Sequence, residues 1–170
     1  MTLDQSTPVL IVDGHDAEIR IVRALLQQLG YTDIDEAANV TEAQTKMRAK
    51  RYALVICDWH VEPMTGCEFA REIRSEGRFS RLPFILTGKP KSENVVAAKK
   101  AGVSSYIVKP FNAELLKAKI EAAFATRAAP LPDRQQAAAA SRPQHGEPAA
   151  AKPASADDQQ KFDGLFTTSI

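Results

Sequence analysis

Cysteine is scarce, with two, Cys57 and Cys67, in 170 residues. Two thiols make neither a disulfide framework nor a zinc-ligand cluster, and Cys57 lies inside an apolar run, where a buried reduced thiol is expected. Excess charge of either sign is also missing. The chain carries 22 Lys and Arg against 21 Asp and Glu, a formal net charge of +1. That balance removes any electrostatic case for binding nucleic acid or an anionic membrane surface. No apolar stretch approaches the roughly 20 residues that span a bilayer. The opening residues MTLDQSTP lack a basic segment followed by an apolar one, so no signal peptide is expected. The expectation is a soluble, cytoplasmic, monomeric protein that contacts neither nucleic acid nor membrane.

Large apolar residues run out near Thr126. Beyond it the sequence RAAPLPDRQQAAAASRPQHGEPAAAKPASADDQQ is rich in Ala, Pro and Gln. Such a segment buries too little surface to offset the entropy of ordering it, so residues 127–160 are expected to form a disordered linker. The final KFDGLFTTSI regains aromatics, and Phe162, Leu165 and Phe166 share the spacing of one helical face. Residues 161–170 are therefore a candidate docking segment, and residues 1–126 the ordered domain.

Within that domain apolar runs alternate with helix-periodic segments. Val9 to Val12 is a short, wholly apolar strand. Ile19, Val22, Leu25, Leu26 and Leu29 mark the buried stripe of a helix that Gly30 suits as a C-terminal stop. Asp33 to Ala37 is a weaker strand, nearer an edge. Thr41 to Lys50 is a helix with Thr41 as its expected cap, and Ala53 to Cys57 a third strand. Phe69 and Ile73 lie on the inner face of the next helix. Pro83 to Leu86 is a fourth strand, Ser92 to Ala101 a helix ending at Gly102, and Tyr106 to Val108 a fifth strand. Asn112 caps a last helix carrying Leu115, Leu116, Ile120 and Phe124. Five strand–helix repeats imply right-handed crossovers and a five-stranded parallel sheet covered on both faces, a three-layer, doubly wound α/β domain. Chemistry in such a domain sits at the carboxyl ends of the strands.

Four polar residues stand at those ends: Asp13, Asp58, Thr87 and Lys109. Any one alone would be an ordinary solvated residue. Two acids, a hydroxyl and an ammonium meeting on one rim suit phosphoryl transfer to a carboxylate. Asp58 would be the nucleophile, and Mg2+ would neutralise the repulsion between carboxylate and phosphoryl oxygens. Asp13 would hold that metal, with the backbone carbonyl of His60 completing the set. Lys109 would pair with a phosphoryl oxygen as a point charge, and Thr87 would donate to another.

The segments IVDGHDAEIRIVRALLQQLGY, LVICDWHVEPMTG, LPFILTGKPKSENVVAAKKAG and SSYIVKPF resemble a receiver domain of two-component signalling, over roughly residues 8 to 125. Within that family the chain is most similar to the single-domain chemotaxis regulators of the CheY type. The resemblance implies the flavodoxin-like (βα)5 fold. It makes Asp58 the phosphoacceptor, Asp13 a metal-site acid, Thr87 the switch hydroxyl, Lys109 the family's lysine and Tyr106 the switch aromatic. It also implies a cis peptide before Pro110, where the cis form costs little. The partners implied are a sensor histidine kinase or phosphotransfer protein upstream and a flagellar motor switch or other protein downstream. No enzymatic or DNA-binding output is expected.

One residue departs from the pattern. Gly14 stands where the family has a second acid that touches the metal, so Mg2+ binding should be weakened. Asp16 and Glu62 are candidate substitutes; the competing reading of Asp16 is an N-cap of the first helix, and of Glu62 a solvated loop residue. His15 and His60 flank the site, and two histidines beside two aspartates raise a transition-metal centre as an alternative. Gly88 suits access by a phosphodonor. Lys91, Lys99, Tyr106 and Lys119 are candidate contacts of an output surface, with Tyr106 rotating inward when Thr87 is drawn to phosphate. The competing function is a pseudo-receiver, the same fold used as a phosphorylation-independent binding module. An aspartate-nucleophile phosphatase would want D-x-D, which neither Asp13-Gly14-His15 nor Asp58-Trp59-His60 supplies.

Overall fold

Strand runs that are apolar at every position must be buried on both faces, and this dictates the layers. The computed structural model describes residues 4–128 together with Phe166. The elements are β1 (Val9–Val12), α1 (Asp16–Gln28), β2 (Ile34–Ala37), α2 (Val40–Ala49), β3 (Leu54–Asp58), α3 (Gly66–Ser75), β4 (Phe84–Gly88), α4 (Ser92–Ala101), β5 (Ser105–Val108) and α5 (Ala113–Ala128), with a short 3-10 turn at Gly77–Phe79. All pairings are parallel, in the order β2-β1-β3-β4-β5. The expected five-stranded, doubly wound α/β architecture is the one observed, and the weak strand β2 is an edge.

Alternate strand residues divide the core in two, as the two-residue period of a strand requires. Leu10, Val12, Val55, Cys57, Phe84 and Leu86 face α2, α3 and α4, among Val40, Met47, Phe69, Ile73, Val95 and Ala98. Val9, Ile11, Leu54, Ile56, Ile85 and Ile107 face α1 and α5, among Ile19, Val22, Leu26, Leu116 and Ile120. Cys57 and Cys67 are both buried free thiols.

Helix ends follow local chemistry. Gly30 and Gly102 take positive φ of 95° and 81° just past α1 and α4, the left-handed stop that glycine adopts without strain. Asn112 Oδ1 accepts from the Leu115 amide at 2.9 Å, as expected of a cap. Two caps differ from expectation. Asn39, not Thr41, caps α2, accepting from the Glu42 amide at 2.8 Å, because the helix already begins at Val40 and the Asx side chain just before it stands three residues from that amide. Asp16 is the first residue of α1 and not its N-cap; that position is His15, whose side chain makes no capping bond. Thr65 and Glu68 form a reciprocal capping box on α3.

Arg74 of α3 ties three segments together. Its Nε donates to the Gly102 carbonyl at 2.9 Å and its Nη1 to the Phe79 carbonyl at 2.7 Å, with Ser104 Oγ 3.5 Å from Nη2. Burial lowers this guanidinium to about 10.

Residues 127 and 128, where the linker is expected to begin, continue α5 to Ala128; the rest of the expected linker to 160 and the docking segment at 161–170, except Phe166, lie outside the described residues. That ring is half-buried against the core cluster of the α2–α3–α4 face. Among the described residues no helix is long and apolar enough to cross a membrane.

Candidate functional site

Register carries four distant residues to one rim. Val12 pairs with Cys57, so Asp13 and Asp58 leave their strands side by side. Asp58 pairs with Thr87 across β3 and β4, and Gly88 pairs with Val108, which sets Lys109 one residue past the end of β5. Asp58 and Thr87 belong to their strands, each one residue beyond the end the apolar run suggests. Strand pairing continues there because the Trp59 amide donates to the Thr87 carbonyl at 2.8 Å and the Lys109 amide to the Gly88 carbonyl at 2.9 Å. The Lys109–Pro110 peptide is cis, as the resemblance implies, and so is Glu62–Pro63, which it does not.

The side chains converge. Lys109 Nζ lies 2.7 Å from Asp58 Oδ1 and 3.4 Å from Asp13 Oδ2. Asp58 Oδ2 accepts the His60 amide at 2.8 Å. Thr87 Oγ1 stands 3.5 Å from Asp58 Oδ1 and from the Cys57 carbonyl, at the outer limit of a hydrogen bond. Asp13 Oδ1 accepts the His15 amide at 2.9 Å and faces His15 Nδ1 at 3.2 Å. Asp13, Asp58 and Thr87 are all buried. Burial is the first cause lifting the Asp58 carboxyl above its ordinary value; the His60 amide opposes this and Asp13 adds to it. Burial likewise lowers the Lys109 ammonium, against the pull of Asp13. A low-dielectric pocket penalises each charge, and the ion pair answers only part of that penalty.

Sequence, match and geometry decide the family together. The sequence matches the response regulator receiver domain over residues 9–121. The chain belongs to the receiver domain family. The receiver is 37% identical over 117 residues to the chemotaxis protein CheY of Pseudomonas aeruginosa, covering 68% of this chain and 94% of that one. It is 38% identical over 120 residues to CheY1 of Helicobacter pylori, covering 69% and 97%. Among solved structures, CheY4 of Vibrio cholerae superposes with a TM-score of 0.63 at 29% identity, over 69% of this chain and 98% of that one.

Other residues of the receiver sit where the sequence did not foresee. Glu18, in the first turn of α1, pairs with Lys109 across 91 residues of chain. An acid in a first helical turn reads as a dipole-favoured surface residue, and nothing local in the sequence shows that the β5 lysine arrives beside it. Tyr106 is fully buried and donates to the Lys89 carbonyl at 2.7 Å, so it does not wait outside to rotate in. Gly88 explains this. A Cβ there would lie 2.5 Å from Tyr106 Oη, so the space glycine leaves is filled by the tyrosine. Burial pushes Tyr106 up to about 12. Lys119, expected at a contact surface, is buried at 6% exposure, whereas Lys91 and Lys99 are exposed.

The donor set fits a divalent cation. Asp13, His15 and Asp58 each offer an atom, all within 4.8 Å of one another. The His60 carbonyl lies 3.9 Å from where a Cβ on Gly14 would stand, beside the same space. Two carboxylates and a carbonyl, completed by water, suit Mg2+ with one anionic oxygen fewer than the family's pattern. Asp16 and Glu62 are not in this cluster. Glu62 is exposed and lines a separate surface groove with Asn39, Thr41, Glu42, Thr45 and Pro63.

Proposed function

We propose that this chain is a single-domain response regulator. It accepts a phosphoryl group on Asp58 from a histidine kinase of the chemotaxis type, or from a phosphotransfer protein. It signals by phosphorylation-dependent contact with a downstream protein, a flagellar motor switch or another target. The observation that carries the reading is the ammonium of Lys109 held 2.7 Å from the buried Asp58 carboxylate, with Thr87 on the adjoining strand and Asp13 alongside. The chemotaxis part rests on similarity to CheY proteins. The reading includes a monomer acting in the cytoplasm as a switch, and no substrate turned over other than its own phosphoryl group.

In the transfer, an Asp58 oxygen forms the new bond to phosphorus as the bond from phosphorus to the donor imidazole breaks. Asp13, Asp58 and the His60 carbonyl would hold Mg2+, which would supply charge neutralisation between carboxylate and phosphoryl oxygens. Lys109 then turns from Asp58 Oδ1 to a phosphoryl oxygen. Thr87 Oγ1, only loosely held at 3.5 Å, moves in to donate to another. Gly88 and Lys89 follow Thr87, and the Lys89 carbonyl carries the Tyr106 hydroxyl with it. The phosphate thereby reaches the start of α4, whose N-cap is Lys91. A near-complete shift between two states needs about 5 kcal/mol of differential binding. Two charge-assisted hydrogen bonds at about 1.5–3 kcal/mol each are of that size.

The test uses the chain's single tryptophan, Trp59, next to the acceptor. Beryllofluoride with Mg2+ is expected to change Trp59 emission, and acetyl phosphate to add one base-labile phosphoryl group. Asp58→Asn should abolish both. If the native chain gives neither signal with any divalent cation, the pseudo-receiver replaces this reading.

A further inference from the structure

Neither backbone nor space demands glycine at position 14. Its φ is not positive, and a Cβ there would meet the Ala38 and His60 carbonyls at 3.8 and 3.9 Å, ordinary contact. A side chain can start there without displacing backbone, so what the missing acid changes is the donor chemistry of the site. The next residue brings a different donor to the same place. His15 Nδ1 lies 3.2 Å from Asp13 Oδ1, and the imidazole joins both site carboxylates in one cluster of donors within 4.8 Å. The side chain is 65% exposed and does not cap α1, so this part of the fold does not depend on it. Lys109 addresses Asp13 through Oδ2 and Asp58 through Oδ1, while His15 stands on the Oδ1 side of Asp13. Donors of one ion with bonds of about 2 Å stand about 3–4 Å apart, so small side-chain movements would close this set on a cation.

We propose that His15 is a metal ligand of this site, and that the site selects a borderline transition-metal dication of the Mn2+ to Zn2+ series over Mg2+. The proposal rests on the reading of the rim as a cation-assisted phosphoryl site and names the class of cation. Mg2+ is hard, takes oxygen donors and draws its affinity from anionic charge. Exchanging a carboxylate for an imidazole removes one negative charge and adds a nitrogen. The first change weakens Mg2+ most. The second strengthens binding along the Irving–Williams series. Both changes move selectivity in one direction.

The full chain is titrated separately with Mg2+, Mn2+, Co2+ and Zn2+, following Trp59 emission and calorimetric heat, with the visible absorption of Co2+ as a reporter of nitrogen ligation. The native chain is expected to bind Co2+ and Zn2+ at least about tenfold more tightly than Mg2+. His15→Ala should weaken both by at least about tenfold, the loss that follows even removal of an outer partner of a metal ligand, while changing Mg2+ affinity less than about twofold. Gly14→Asp should strengthen Mg2+ binding. Glu62→Gln, outside the donor cluster, should leave Zn2+ affinity unchanged. Equal losses of Mg2+ and Zn2+ in His15→Ala, or no loss of Zn2+, would overturn the proposal. So would Zn2+ binding that survives Asp13→Asn, which would place the ion elsewhere. Phosphorylation of Asp58 is scored in parallel. A chain that takes no phosphoryl group with any cation, yet binds Zn2+ through His15, would remove the signalling reading and support the metal assignment.

Discussion

Asp58 is 6% exposed, and burial raises its carboxyl above the ordinary value of 3.8. A raised acid holds its proton more tightly folded than unfolded. Stability therefore falls as pH climbs from about 4 through the folded value, and at neutral pH the ionised carboxylate costs stability. Asp58→Asn removes that cost while leaving Lys109 its contacts with Asp13 and Glu18. The expected result is a Tm higher by about 2–5 °C at pH 7, with the gain shrinking as pH falls toward 4; thermal melts across that range measure it. Glu18 gives a second residue-scale prediction. Its carboxylate, 40% exposed, shares Lys109 with Asp58 and, under the proposed function, would add negative charge near an incoming phosphoryl group. A half-exposed charge near 4 Å is worth about 1 kcal/mol or less. Glu18→Gln should therefore raise the initial rate of labelling by acetyl phosphate, by up to about fivefold. An unchanged or slower rate would count against the competition for Lys109. Asp13, Asp58, Thr87 and Lys109 were legible because each ends an apolar run. Glu18 was not, because its partner lies on another element, and pairing across elements leaves no local trace.

At the scale of elements the junction between β3 and α3 is the tightest part of the site. A Cβ on Gly66 would lie 2.2 Å from the Asp58 carbonyl, 2.7 Å from Leu86 Cδ1 and 3.1 Å from Cys57 Sγ. The nearest atom is backbone, so the end of β3 would have to give way. Gly66→Ala should destabilise the fold by about 1–3 kcal/mol or more, read by urea unfolding, and should blunt the Trp59 response to beryllofluoride by displacing Asp58. Strands and the apolar stripes of helices were readable because burial on two faces, or on one, leaves a period in the sequence. Helix starts were less so. Asn39 and Thr41 are both capping types two residues apart, and tertiary placement of the chain entering α2 decides between them. Tyr106 was misplaced for a related reason. Whether an aromatic lies in or out depends on the residue at 88 of the neighbouring strand, which only strand pairing brings together.

Over the whole molecule, the order β2-β1-β3-β4-β5 turns back between β1 and β3, the point at which open α/β sheets bind ligands, and Asp13 and Asp58 flank it. Alternation of strands and helices predicted a covered parallel sheet, and that is what forms. Phe166 extends the core cluster of the α2–α3–α4 face from far along the chain. Phe166→Ala should lower stability by about 1 kcal/mol, half the value of a fully buried ring, as read in a urea titration. The Arg74 clasp has a mechanical corollary. It grips the carbonyl of Gly102, just past the last turn of α4, while the opposite end of that helix adjoins the Thr87–Lys89 segment. A rod pinned at its base and nudged at its tip can only pivot. The tip should therefore trace the larger arc, and hydrogen exchange on phosphorylation should quicken or slow at Lys91–Val95 while Gly102–Ser104 stay unchanged.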